Sequence, residues 1–148
     1  MKKSIIIAAS LLVTTLSHAQ KIQEKDVPAD VKSSFTKHFS PAKEIKWEKE
    51  NGNYEVEFDL NKTEQSALFD AKGALLETEV EIELSQLPAG VLDYVKAHYA
   101  GQSVKEAEKI TDSNGTVTFE TELKGMDLIF DSTGKFIKEI KELKEEKD

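Results

Sequence analysis

The sequence predicts an α+β fold built from two consecutive copies of one unit, in which a helix precedes four antiparallel strands. Three segments recur in the same order along the chain. The pairs are Val27-Pro28-Ala29-Asp30-Val31 with Leu87-Pro88-Ala89-Gly90-Val91, Tyr54-Glu55-Val56-Glu57-Phe58 with Phe119-Glu120-Thr121-Glu122-Leu123, and Phe69-Asp70-Ala71-Lys72-Gly73 with Phe130-Asp131-Ser132-Thr133-Gly134. Recurrence at a nearly constant period indicates that one supersecondary unit was duplicated. We therefore predict a first repeat over residues 20–83 and a second over residues 84–140.

The N-terminus is typical of an export signal. Lys2 and Lys3 precede an apolar segment, Ile5 to Leu16, that is too short to span a bilayer. Ser17-His18-Ala19 then has the small-x-small pattern of a cleavage site. We predict that residues 1–19 are a signal peptide, with no membrane insertion after its cleavage. The mature chain is then periplasmic or secreted.

Charge and cysteine content exclude several classes of function. The 148 residues carry 20 Lys and Arg against 28 Asp and Glu, a net charge of −8. Such a chain does not attract nucleic acid or an anionic membrane surface. The absence of cysteine excludes disulfides, thiol catalysis and thiolate metal sites. We expect a monomer in which the two repeats unfold together, because about 60 residues are marginal alone.

Each repeat opens with an amphipathic helix. In the first, apolar side chains recur every four residues at Val27, Val31, Phe35 and Phe39, and the second repeats them at Leu87, Val91, Val95 and Tyr99. Proline suits the first turn of a helix, where its missing N–H is not needed. Pro28 and Pro88 therefore predict the helix starts, and Pro41 and Gly101 predict the ends.

Alternating strands and turn signals follow each helix. In the first repeat the strands are predicted at Ile45-Trp47, Tyr54–Leu60, Leu68-Phe69 and Leu76–Ile82, with turns at Asn51-Gly52 and Asp70–Gly73. In the second they are predicted at 104–110, 117–123, 126–130 and 136–140, with turns at 112–115, 124–125 and 131–134. Residues 141–148 are nearly all charged and are interpreted as a tail.

These motifs together resemble the PepSY-like family of small exported proteins, which are common in the Bacteroidetes. The resemblance is carried by the Pro-Ala-x-Val segments and by Lys46-Trp47-Glu48, Tyr54–Phe58 and Phe69–Gly73, and it covers Val27 to Ile140. The family is similar in fold to the β-lactamase inhibitor protein, which is also a tandem pair of helix-plus-four-strand units. The resemblance implies this fold, an exported location and no established enzymatic activity. It also suggests inhibition of a secreted or periplasmic enzyme.

Rows of glutamate are the main chemical feature of the predicted strands. Alternation places them on the sheet face away from the helix, which is expected to be at least partly free. One interpretation is a solvated strand face; the other is a surface for a basic partner or for cations. Trp47 is interpreted as core, with an exposed anchor as the alternative. The predicted partner-binding face consists of Trp47, Glu55, Glu57, Glu77, Glu79, Glu81, Glu120 and Glu122.

Catalysis and metal binding have little support in the sequence. There is no nucleophile elbow, phosphate loop or dinucleotide fingerprint. His38 and His98 occupy equivalent positions at the edge of each apolar stripe; the alternative is a shared transition-metal site. We predict a non-enzymatic binding module without cofactor, metal or catalytic residues. Its partner is an unknown protein or peptide that it inhibits or modulates. The alternative function is an acidic cation-binding envelope protein.

Overall fold

The computed structural model describes residues 19–141. In this range two α-helices and nine strands form an α+β fold, in which four strands follow each helix. The helices are α1 (Ala29–Phe39) and α2 (Val91–His98), each preceded by a short 3-10 helix at Glu24–Asp26 or Leu84–Gln86. The strands are β1 (Gln20–Ile22), β2 (Lys43–Glu50), β3 (Asn53–Leu60), β4 (Thr63–Phe69), β5 (Leu75–Ile82), β6 (Glu106–Asp112), β7 (Val117–Leu123), β8 (Met126–Asp131) and β9 (Phe136–Lys141). Residues 1–18 of the predicted signal peptide and residues 142–148 of the predicted tail lie outside the described residues.

The chain divides into two compact units, the first ending at Thr78 and the second beginning at Glu79. In the first unit β1, β2, β3 and β4 pair in sequence order, all antiparallel. In the second unit β6, β7, β8 and β9 do the same. Antiparallel neighbours in sequence order need only short hairpin connections, which agrees with the turns that the sequence predicts.

The core of the first unit forms where α1 lies on the inner face of β2, β3 and β4. Val31 and Phe35, one helical turn apart, are both buried. The Phe35 ring meets the Trp47 ring edge-on at 5.4 Å and the Phe58 ring at 5.1 Å, an arrangement that aromatic quadrupoles favour. Ile22 of β1, a strand that the sequence analysis did not predict, lies opposite Trp47 and packs against the same core.

The core of the second unit is built in the same way under α2. Val91 and Val95 of the helix are buried with Leu123, Leu128 and Phe130 of the strands. One position differs in chemistry between the two cores. Thr121 of β7 is fully buried and alternates with Glu120 and Glu122, at the position where β3 of the first unit carries Val56. Among the described residues its hydroxyl has no hydrogen-bond partner.

Three turns share one geometry that the sequence predicted. The side chains of Asp70, Asp112 and Asp131 each accept hydrogen bonds from the backbone N–H groups two and four residues later. The backbone bonds to the ionised carboxylate lower the pKa of Asp112, and the Thr133 hydroxyl, which donates to Asp131 at 2.6 Å, lowers the pKa of Asp131 together with them. The glycine three residues after each aspartate has a positive φ of 80–86°, as a left-handed turn position requires.

Candidate functional site

The candidate site in the first unit is the sheet face opposite α1. Side chains alternate along β3, so the residues between Tyr54, Val56 and Phe58 point away from the helix. The cross-strand register adds side chains from β2 and β4 to the same face. We call this surface the first acidic face; its carboxylates are Glu48, Glu55, Glu57, Asp59 and Glu64.

Like charges lie directly opposite each other on the first acidic face. Glu48 is the register partner of Glu55, and Asp59 is the partner of Glu64. Carboxylates placed in this way repel, which destabilises the sheet locally. Burial raises the pKa of Glu57, the nearby Lys46 opposes that shift, and the charges of Glu48 and Glu64 add to it. The face therefore favours a positively charged neighbour.

The second unit has the same kind of surface opposite α2. Glu122 of β7 lies between two register partners, Glu106 of β6 and Asp127 of β8. Glu108 lies opposite Glu120 in the same way. We call these five carboxylates the second acidic face. Lys105 forms an ion pair with this face: its Nζ atom is 3.6 Å from Oε1 of Glu122.

The predicted glutamates differ in exposure from the expected solvated rows. Glu55, Glu79 and Glu120 are only 3%, 2% and 7% exposed, so the expectation that these side chains face open water is wrong. Each takes part in a polar or electrostatic interaction, as buried carboxylates require. Glu57, Glu77, Glu81 and Glu122 are half-buried. Alternation assigns a side chain to a face, but it does not say how much water reaches that face.

Apolar side chains are interleaved with the acidic ones. Leu68 is the register partner of Glu55, and Ile129 is the partner of Glu120. Both are buried, as is Ile110 on the same side of β6. The carboxylates of the two acidic faces thus lie beside buried aliphatic side chains, which explains why water reaches Glu55 and Glu120 so little.

Trp47 was predicted as part of a partner-binding face, and the structure places it in the core. It is 5% exposed and packs edge-on against Phe35, so its interpretation as core is confirmed and the exposed anchor is excluded. Ile45 is two residues before Trp47 in the predicted strand, where regular alternation would place it on the same face, but it is 43% exposed. The register of β2 shifts between Lys43 and Lys46, and Glu44 has a positive φ of 51°. This irregularity breaks the alternation on which the prediction depended.

The rings of His38 and His98 each form a hydrogen bond with a backbone carbonyl group of their own helix. Nδ1 of His38 is 2.8 Å from the Ser34 carbonyl oxygen, and Nδ1 of His98 is 3.0 Å from that of Tyr94. The His98 ring also stacks on Tyr94 at 4.0 Å. Both side chains are exposed. Within residues 19–141 no group of three His, Asp or Glu side chains is placed to hold a metal ion.

Tyr99 and Glu139 form a polar contact that sequence reasoning missed. The phenol O–H donates to Oε2 of Glu139 at 2.8 Å and joins the end of α2 to β9. Burial, together with this bond and the carboxylate charge, raises the pKa of Tyr99 to about 12. The 40 residues between the partners leave no local sequence signal for such a pair.

Two helix-on-sheet units, each with a carboxylate-lined face away from its helix, define a small α+β module. No helix among the described residues has the length and apolar composition needed to cross a membrane. A family model described as "Putative beta-lactamase-inhibitor-like, PepSY-like" matches residues 13–76 and 59–138. The chain therefore belongs to this family, and the resemblance predicted from its motifs is confirmed. None of the curated proteins matches it.

Solved structures from Bacteroides species share the fold. A DUF2874 family protein from Bacteroides uniformis has 19% identity and a TM-score of 0.68, covering 77% of this chain and 88% of its own. A "putative periplasmic" protein from Bacteroides eggerthii has 15% identity and a TM-score of 0.69, with coverages of 78% and 88%. A BLIP-like protein from Bacteroides fragilis has 24% identity and a TM-score of 0.63, with coverages of 77% and 86%. The TM-scores establish that these proteins share the fold of this chain. Sequence identities this low leave the function open.

Proposed function

We propose that this chain is an exported, non-enzymatic, monomeric module that binds a basic or mixed-charge protein or peptide and thereby inhibits or modulates it. The inhibitor-like family and the periplasmic description of a fold relative support this role. The tandem-repeat interpretation, with repeats over 20–83 and 84–140, supports two related surfaces. The single observation that carries the proposal is the register of like charges, with Glu122 between Glu106 and Asp127.

The register matters because it places the three negative charges of Glu106, Glu122 and Asp127 side by side on the face. Like charges directly opposite on neighbouring strands destabilise a sheet. A partner that places Lys or Arg side chains over them relieves the repulsion and gains charge-assisted hydrogen bonds. The net charge of −8 also steers basic partners toward the module, and this effect weakens with salt.

Glu77 and Glu81 extend the proposed binding surface along β5, and Glu79 between them is 2% exposed and contributes its charge but no contact surface. They occupy alternate positions of β5, so they lie on one side of that strand. We propose that replacing all three by Gln slows association with the partner, because electrostatic steering acts mainly on the on-rate.

The proposal is tested by calorimetric titration of the full chain with a Lys- and Leu-containing peptide. The double variant Glu106→Gln/Glu122→Gln should bind it at least about tenfold more weakly, the equivalent of about 1.4 kcal/mol. The matched control is Glu24→Gln/Asp26→Asn, which removes the same charge from an exposed 3-10 helix. Equal loss in both variants would reduce the effect to net charge and contradict a defined face.

The alternative function is that of an acidic cation-binding envelope protein, and the same repelling pairs are the observation that favours it. Titration with Ca²⁺, Mg²⁺ and Zn²⁺ separates the two functions. We expect no site tighter than about 10⁻⁴ M, the weak end for extracellular calcium modules. A stoichiometric micromolar site that Glu106→Gln/Glu122→Gln removes would replace the partner-binding proposal with this alternative.

A further inference from the structure

The second unit contains a small cleft beside the second acidic face. It lies where the connection between α2 and β6 meets the turn between β7 and β8. Its volume is about 320 Å³, and its lining residues are Gly101, Gln102, Ser103, Lys105 and Lys124. This is the lower end of the range for ligand pockets and suits a short chain terminus.

The backbone explains why this connection runs outside the core. Gly101 has a positive φ of 82°, which turns the chain away from the end of α2. The N–H of Gln102 then donates to the Tyr99 carbonyl oxygen at 3.0 Å. Val104 returns to the core, and the N–H of Lys105 donates to the Glu122 carbonyl oxygen at 2.8 Å. Residues 101–103 are thus fixed at both ends.

The cleft has an excess of positive charge in an otherwise acidic protein. Lys105 and Lys124 reach it from two separate segments, and both are exposed. Lys105 has Glu122 as a neighbour at 3.6 Å. Among residues 19–141, Lys124 has no ion-pair partner. Since Lys105 is paired with Glu122, the ammonium group of Lys124 is the charge that attracts an anion to the cleft.

The cleft also needs a hydrogen-bond donor. Oε1 of Gln102 is enclosed and accepts no hydrogen bond from the part of the chain that the structure describes. A buried acceptor without a donor is unfavourable, and an N–H from a ligand would satisfy it. The required ligand is therefore anionic at one end and donates a hydrogen bond next to it.

We propose that this cleft binds the C-terminal carboxylate of a peptide. The carboxylate would lie against Lys105 and Lys124, and the last backbone N–H would donate to Gln102. Backbone and side-chain capture of a C-terminal carboxylate is an established mode of peptide recognition. These cleft side chains are present only in the second of the two described units. In the first unit the corresponding connection has Ala42 in place of Gln102. Ala42 packs against the core and has no side-chain amide.

The proposal is tested by ¹⁵N chemical-shift titration of the full chain with the peptide acetyl-Ala-Ala-Ala. We expect the amides of Gly101, Ser103 and Gly125 to shift together, with a dissociation constant on the order of millimolar. The same peptide with a C-terminal amide should bind at least about tenfold more weakly, because a charged hydrogen bond is lost. N-acetylalanine, which keeps the carboxylate and its N–H, should retain most of the affinity.

Variants assign the binding to the named side chains. Lys124→Met and Gln102→Glu should each weaken binding at least about tenfold, the second because it keeps an acceptor but adds a repelling charge. Lys96→Met is the control, since Lys96 is an exposed lysine of α2 that does not line the cleft. Lys105→Met serves as a second test if Lys124→Met alters the fold.

Three results would overturn the proposal. They are equal shifts with the amidated peptide, equal binding by Lys124→Met and wild type, and equal shifts with inorganic phosphate. The last would identify a general anion site without peptide recognition.

Discussion

Gly73 lies so close to Asp30 that the two backbones leave no room for a side chain. A Cβ atom on Gly73 would be 2.6 Å from the Asp30 carbonyl oxygen. The turn between β4 and β5 therefore rests directly on the first turn of α1. Gly134 repeats the relationship in the second unit, where a Cβ would be 2.7 Å from the Ala89 carbonyl oxygen. This contact fixes where each helix starts relative to its own strands.

Gly73→Ala should destabilise the first unit by about 3 kcal/mol or more, because it adds a steric clash to the strain of a positive φ. Gly52→Ala is the matched control in the same unit: its φ is +82°, but nothing lies within 4 Å of the added carbon. It should cost only about 1–2 kcal/mol. Urea unfolding followed by fluorescence of Trp47, the single tryptophan, measures both. Similar losses would show that the backbone contact contributes little.

This contact also shows where sequence reasoning ends. The Asp-x-x-Gly pattern predicts the turn, and the structure confirms it. It does not predict that Asp30, which is far away in sequence, closes the space over Gly73. The same limit applies to the exposure of Ile45, which depends on a register shift, and to the burial of Glu55. Local periodicity determines which side of a strand a residue occupies; tertiary packing determines what lies there.

Thr121→Val should stabilise the second unit by about 1 kcal/mol. The hydroxyl is fully buried and has no partner among the described residues, and removing such a group recovers its desolvation cost. Val56 of the first unit shows that valine fits this ladder position. The converse change, Val56→Thr, should destabilise by about 1–3 kcal/mol. Amide hydrogen exchange in β7 and β3 reports each unit. An unchanged exchange rate in Thr121→Val would imply a buried water on the hydroxyl.

Glu57→Gln should stabilise the protein at neutral pH and have no effect in acid. The raised pKa means that the folded state holds the proton more tightly than the unfolded state, whose value is 4.5. Stability from this group is therefore present below pH 4.5 and is lost as pH rises through the folded pKa. The gain should be below about 1 kcal/mol, because the side chain is half-exposed. Urea midpoints of both proteins across this pH window provide the measurement; a constant difference would contradict it.

The pKa of Tyr99 should be about 12, well above the usual tyrosine value of 10.0. The folded state favours the neutral phenol, so stability is complete below pH 10 and is lost as pH rises toward 12. Ultraviolet titration of wild type minus Tyr99→Phe isolates this phenol. Glu139→Gln keeps an acceptor but removes the charge, so the pKa should move back toward 10. An unchanged pKa in Glu139→Gln would show that burial alone raises the pKa of Tyr99.

Glu122→Gln should improve folding while it weakens binding. The change relieves repulsion from Glu106 and Asp127, each pair being worth about 0.2–1 kcal/mol. It removes one half-exposed ion pair with Lys105, which is worth no more than about 1 kcal/mol. A net gain in the free energy of unfolding, together with weaker binding of the basic peptide, would be the exchange of stability for function that binding surfaces often show. Glu24→Gln, an exposed change outside both faces, should alter neither quantity.

If Glu122→Gln instead destabilises the chain, and added Ca²⁺ stabilises only the wild type, the carboxylates are compensated by a cation. The acidic faces would then serve ion binding rather than partner recognition.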